Sequence, residues 1–256
     1  MSQLTTVPGA RLMLRHARYQ FLETVRVPIA VIGTALFPAL SMLFFVVPSA
    51  DLAADPVVST GATAQLAVFS VMSVCLFTYG VGVSEDRALP WDAYLRTLPA
   101  GPGPRLGGRL LNGLAFAVIG LLPLVAIAVF LTAATITPAR LGLALAALLA
   151  AALPFLGIGM AIGYSMPAKA SLAVAQVLLF PLAFAGGLFL PPETFPDWLD
   201  TLSTWLPSRA GRELVVGAAT GSTVGVLPVV VLAGWAALAA GLAVWAYRCD
   251  EGRRFR

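Results

Sequence analysis

Few residues in this 256-residue chain could do chemistry, and their scarcity narrows the functions available to it. His16 is the single histidine, and Cys75 and Cys249 are the two cysteines, too few for a disulfide framework or a metal set. No GxxxxGK[ST] loop is present to cradle nucleotide phosphates, no serine sits in a nucleophile elbow, and no aspartate pair could hold a metal. One charged cluster stands out, in "SEDRALPWDAYLRTLPAGPGPRLGGRLL". Here Glu85, Asp86 and Arg87 precede a short amphipathic stretch, Trp91 to Leu98, and then Pro99 opens a Pro/Gly turn. Carboxylates, a guanidinium and aromatics in this order suit docking rather than catalysis. Trp91, Tyr94, Leu95 and Leu98 would be presented to a partner protein, or would sit at a lipid interface as an ordinary loop.

A second cluster lies in "LPPETFPDWLDTLSTWLP". Trp198, Leu199, Leu202, Trp205 and Leu206 recur at helical spacing and share one face, with Asp197, Asp200, Ser203 and Thr204 on others. Pro196 suits the first turn of a helix, and acids near that end complement its dipole. Pro191 and Pro192 are expected to end the apolar run before it. The pattern predicts a short helix with tryptophans at headgroup level and acids facing water.

The elements that must carry these clusters are membrane spans. With 59% hydrophobic and 11% charged residues, and a mean hydropathy of +0.90, the chain has too little polar surface for a water-soluble globule. A hydrocarbon layer of about 30 Å takes roughly 20 helical residues, and six such runs are present, near residues 27–47, 64–83, 110–133, 141–163, 171–190 and 224–247. Unbroken Ala, Leu and Val runs do not resemble the alternating strands of a barrel. The first run has 21 residues, above the roughly 7 to 15 of a secretory h-region, and reads as a retained span. None of the six contains Asp, Glu, Lys, Arg or His, so ion coupling and embedded catalysis are disfavoured, and any driving force must come from another chain.

Charge then orients the chain. Placing both termini in the cytoplasm puts thirteen of sixteen cations inside and leaves only Arg140, Arg209 and Arg212 outside, while the acids split six and six. The formal charge of +4 is therefore a sum over two faces and does not call for a nucleic-acid partner. Within the first 26 residues, Arg11, Arg15, Arg18 and Arg26 cluster within about 80° on a helical wheel, beside Met13, Leu14, Ala17, Phe21 and Val25. This predicts an amphipathic helix in the inner headgroup layer, in contact with membrane lipid. Gly159 and Gly163 form a small-xxx-small pair that lets helices approach, and Pro38, Pro123, Pro154, Pro181 and Pro228 could each kink a span. Fifteen arginines to one lysine, with abundant alanine, fit a bacterium with a GC-rich genome.

The whole order resembles the membrane subunits of type-2 ABC exporters. Glu85, Arg87, Leu95, Pro99, Gly108 and Arg109 match that family's inner coupling segment, and Gly187, Pro191, Phe195, Pro196, Trp198, Leu199, Leu206 and Pro207 match its outer one. Ala88, Leu89 and Pro90 stand where the family often has a glycine. The resemblance implies an all-α, multi-pass permease domain over residues 1–256, with an N-terminal helix over 1–26, a cytoplasmic coupling segment over 84–109 and an extracellular helical segment over 191–223. It implies a bacterial plasma-membrane location and two copies of a cytoplasmic ABC ATPase subunit, which carry ATP and Mg, docked on Glu85 to Pro99. It also implies a second permease copy or a paralogue, and export as the direction. Uncharged spans suit an apolar or amphipathic substrate, such as a drug-like molecule or a lipid. The competing reading is a scaffold that recruits partners without moving anything.

Overall fold

The computed structural model describes residues 9–26, 36–90 and 102–254. Among them all regular structure is helical. In chain order the elements are α1 (Gly9–Val25), α2 (Leu36–Val46), α3 (Ala50–Ala54), α4 (Pro56–Ala88), α5 (Pro102–Leu131), α6 (Pro138–Ser165), α7 (Ala168–Ala185), a 3-10 turn (Pro192–Thr194), α8 (Asp197–Ser203), α9 (Pro207–Thr220) and α10 (Val226–Arg254). Five of these, α4, α5, α6, α7 and α10, are long and apolar enough to cross a membrane. They correspond to the second to sixth expected spans. For the first, only the shorter apolar helix α2 is described, and residues 27–35 lie outside the described residues.

Local chemistry sets the helix ends. The Asp55 carboxylate accepts hydrogen bonds from the Val57 and Val58 amides at 2.7 and 3.0 Å, with Pro56 opening α4 where its missing N–H costs nothing. α6 begins in the same way after Thr137, whose hydroxyl accepts from the Arg140 amide at 3.4 Å, with Pro138 next. Pro123, Pro154 and Pro181 remain inside α5, α6 and α7.

The fifth span stops earlier, and for another reason, than the prolines suggested. α7 ends at Ala185, where Gly187 takes a φ of 73°. The Leu188 amide then bonds back to the Ala183 carbonyl at 2.9 Å and the Gly187 amide to Phe184 at 3.1 Å. This left-handed glycine cap satisfies the last carbonyls and seats Leu188, fully buried, against the helix it has just left. Pro191 and Pro192 follow the stop and do not cause it.

α6 is the centre of the bundle. A Cβ on Gly159 would collide with the Cys75 carbonyl, one on Gly163 would stand 2.5 Å from the Tyr79 carbonyl, and one on Gly157 would be 2.7 Å from the Ala239 backbone. α4 and α10 thus approach α6 backbone to backbone, as the small-xxx-small pair predicts for its own face. Opposite Gly159 and Gly163, α4 widens into a π-helical stretch, Cys75–Val81. Such a stretch shifts the side-chain register without ending the helix. Around it pack Phe69, Met72, Leu76, Phe155, Leu179 and Val215.

The two halves of the segment 191–223 are set differently in the bundle. Its first half carries α8, with Trp198 and Trp205 exposed at 69% and 61%. Its second half, α9, does not lie on the surface. A Cβ on Gly211 would be 3.0 Å from Ala151 and 3.7 Å from Val68, both near mid-length of α6 and α4, while Gly221 lies beside Arg140 near the start of α6. Small buried residues, Ala210, Gly211, Gly217 and Ala219, let α9 slot between those helices and α10. Its charges are tolerated there because each has a polar partner. Arg209 meets Glu213 at 2.5 Å and Asp200 at 3.6 Å, and Arg212 donates to Gln65 at 3.2 Å.

Gly159→Ala should therefore force α4 and α6 apart and destabilise by about 1 to 3 kcal/mol, the usual scale of overpacking. Gly142→Ala, where the space is open, should cost nothing. Thermal unfolding of the two variants in one detergent compares them directly.

Candidate functional site

The last two turns of α4 carry Ser84, Asp86 and Arg87, and each reaches a different helix. Arg87 donates from Nη1 to the carbonyls of Gly163, at 2.5 Å, and Met166, at 3.4 Å, and its Nη2 pairs with the Asp250 carboxylate of α10. Its guanidinium carbon stands 5.9 Å from the centroid of the Tyr164 ring, and Tyr164 packs edge-on against Tyr247 of α10 at 5.1 Å. The carbonyls at the end of α6 have no partners further along the helix and carry its negative dipole end, so a guanidinium is suited to them. Asp250 is buried, with 3% side-chain exposure, and a carboxylate so placed needs a cation beside it.

Asp86 points the other way and forms an ion pair with Arg109 of α5, whose side chain is only 12% exposed. The Tyr79 hydroxyl, on the π-helical stretch of α4, is shared between the Arg109 and Leu110 carbonyls at 3.1 Å each. Gly113 leaves room for that ring, since a Cβ there would be 2.5 Å from its Cζ. Ser84 and Ser171 of α7 join hydroxyl to hydroxyl at 2.6 Å, and Ser171 also bonds the Ala168 carbonyl at 2.9 Å. The ends of α4, α5, α6, α7 and α10 are thereby tied into one polar clasp. Glu85 takes no part in it; its side chain is exposed.

Of the residues expected to dock a partner, Arg87 is turned into the bundle, and Asp86 is held on Arg109 with its carboxylate partly exposed. Trp91, Tyr94, Leu95, Leu98 and Pro99 lie outside the described residues. Both roots of their segment are nevertheless held, because the chain leaves from Arg87 and returns through Arg109, and Asp86 bonds Arg109 directly. At the opposite end of the bundle, Pro191 is exposed, Pro196 caps α8, Leu199 is half-buried, and buried Pro207 opens α9. There the Trp235 indole of α10 donates to the Trp205 carbonyl at 2.8 Å.

Tyr79, Tyr164, Ser171 and Asp250 belong to the clasp and were not singled out in sequence. Asp250 offered one signal, as an acid among Arg248, Arg253 and Arg254 just past the last apolar run. Tyr79 and Ser171 offered none, since a hydroxyl at a span end has many uses. The arrangement can hold helix ends and transmit displacement. It places no general base beside a nucleophile, and the described residues contain no group of three or more His, Cys, Asp or Glu able to bind a metal.

Comparison with known proteins bears on what such a bundle is for. The sequence model described as "ABC-2 type transporter" matches residues 13–220. The chain is also similar to "Putative transport permease YvfS" of Bacillus subtilis (strain 168), with 27% identity over 144 residues. That alignment takes in 56% of this chain and 59% of the relative, so the chain spans rather more than half the relative's length.

If the clasp holds α10 in place, Arg87→Gln should take the Arg87 cation from buried Asp250, at a cost of up to about 3 to 5 kcal/mol, and loosen the end of that helix. Cys249, half-buried next to Asp250, reports on this. Its labelling by a maleimide should quicken several-fold while buried Cys75 stays unlabelled, and the exchange Arg87→Asp with Asp250→Arg should return the rate toward wild type. Equal rates in wild type and Arg87→Gln would show that the pair does not hold α10.

Proposed function

The chain belongs to the ABC-2 type transporter family, and on that footing we propose that it is the membrane-spanning permease subunit of an ATP-driven exporter. The observation that carries this reading is the clasp. Both roots of residues 91–101 are pinned where five helix ends meet, so a push on that segment reaches the whole bundle. A device of this kind serves a protein whose energy arrives from outside. The apolar runs 110–133, 141–163, 171–190 and 224–247 carry no Asp, Glu, Lys, Arg or His with which to couple a proton or sodium gradient.

In this reading residues 27–47 form a sixth span, both termini and residues 84–109 face the cytoplasm of a bacterial cell, and 191–223 lies toward the outside. Two cytoplasmic ATPase subunits, carrying ATP and Mg, dock through Glu85 and through Trp91, Tyr94, Leu95, Leu98 and Pro99. A second permease copy or a paralogue completes the path. Asp86 and Arg87 act one step back, as positioning residues that make the docked segment and the spans move together. The substrate is apolar or amphipathic, a drug-like molecule or a lipid, since the apolar runs carry no Asp, Glu, Lys, Arg or His and the charges that α9 brings among them already have polar partners.

Purification in mild detergent should bring down a Walker-type ATPase in stoichiometric amount. Its reproducible absence would favour a scaffold that moves nothing. Within the complex, replacing Tyr94 and Leu95 by Asp should lower substrate-stimulated ATP hydrolysis about tenfold, in line with the loss of buried interface anchors, while membrane insertion is unchanged. Normal stimulation in that double variant would remove the docking role from this segment.

A further inference from the structure

α1 has two faces of different chemistry. Met13, His16, Ala17 and Phe21 turn toward α5: a Cβ on Gly107 or Gly108 would collide with Met13 or His16, and Phe21 stacks on Phe116 at 5.3 Å. The opposite face carries Arg11, Arg15 and Arg18, all exposed, interleaved with Leu14, Leu22 and Val25, which are 61%, 40% and 45% exposed. None of these three arginines has an ion-pair partner among the described residues. The helix stands beside Gly107, where the apolar part of α5 begins, and near Arg109 of the clasp. An exposed row that mixes unpaired guanidinium groups with leucine and valine, at the depth where a span enters the apolar layer, suits neither water nor hydrocarbon alone. It suits the boundary between them, with the apolar side chains dipped among acyl chains and the guanidinium groups on phosphate oxygens.

We propose that this face of α1 is a binding surface for anionic phospholipids of the leaflet at the clasp end. The lipid phosphates supply the counter-charge that the described residues do not. Because α1 packs on the first turns of α5, and α5 is tied to α4 through Arg109 and Asp86, lipid held on α1 braces the clasp from outside. This rests on the chain being a membrane protein, and not on its being an exporter.

The test uses the full chain in nanodiscs of phosphatidylcholine with and without an equal part of phosphatidylglycerol. Mass spectrometry measures the ratio of the two lipids retained when the protein is extracted from mixed discs. Wild type should be enriched in phosphatidylglycerol and should melt at higher temperature in mixed discs than in phosphatidylcholine alone. The triple variant Arg11→Gln, Arg15→Gln, Arg18→Gln should lose at least about tenfold of that enrichment, with its melting temperature in phosphatidylcholine unchanged. Arg248→Gln, an exposed arginine at the same end, should keep it. In wild type the enrichment should fall steeply with salt, and soluble glycerol phosphate at matched concentration should not raise the melting temperature. The proposal is overturned by equal enrichment in wild type and the triple variant, by an equal loss in Arg248→Gln, by enrichment insensitive to salt, or by stabilisation from the soluble phosphate.

Discussion

A carboxylate buried at the end of an apolar bundle must be met by a cation, and this requirement at Asp250 organises the rest of the molecule. Arg87 meets it from another helix, and while doing so takes up the carbonyls left over at the end of α6. One guanidinium thereby fixes the relative positions of three helices whose apolar flanks could otherwise slide. Sliding is easy in a membrane bundle, because leucine against leucine and leucine against lipid differ little in energy. Directional polar contacts at the ends, and close backbone approach at Gly157, Gly159 and Gly163, supply the specificity that apolar burial lacks.

The π-helical stretch of α4 links those two devices. It faces the glycines of α6, and it carries Tyr79, whose hydroxyl reaches the carbonyls of α5 beside Arg109. Packing at mid-bundle and hydrogen bonding at the end therefore share one helix segment. A displacement of the segment between α4 and α5 cannot be absorbed locally, since both of its roots are bonded to each other and to neighbouring helices. The opposite end is built differently. There a capped α7 releases the chain early, α8 leaves its tryptophans exposed, and α9 turns back between α4, α6 and α10 with Arg209 and Glu213 paired and Arg212 on Gln65.

How much of this could be read in advance depended on whether a residue's partner was near in sequence. The spans were legible because hydrophobic runs of that length answer to the layer thickness alone, and α4, α5, α6, α7 and α10 fall where the runs do. The small-xxx-small pair at Gly159 and Gly163 was legible because its role depends only on lacking a side chain. The end of α7 was misread, since prolines drew attention from Gly187, whose left-handed conformation does the stopping. The burial of α9 was not legible, because the partners of Arg209 and Arg212, Asp200 and Gln65, come beside them only in the fold.

By itself the sequence determined the class of protein, the positions of five spans, the asymmetry of charge between the two ends and the lack of Asp, Glu, Lys, Arg and His in the apolar runs. These are properties of composition and periodicity, and the solvent enforces them whatever the helices do to one another. Only the tertiary structure decided that Arg87 faces inward and Asp86 turns to Arg109 while Glu85 faces out, that Asp250 is the distant counterpart of Arg87, and that α9 enters the bundle. Each of those depends on which helix end lies next to which, and the contacts that settle it join residues such as Arg87 and Asp250, which stand 163 positions apart.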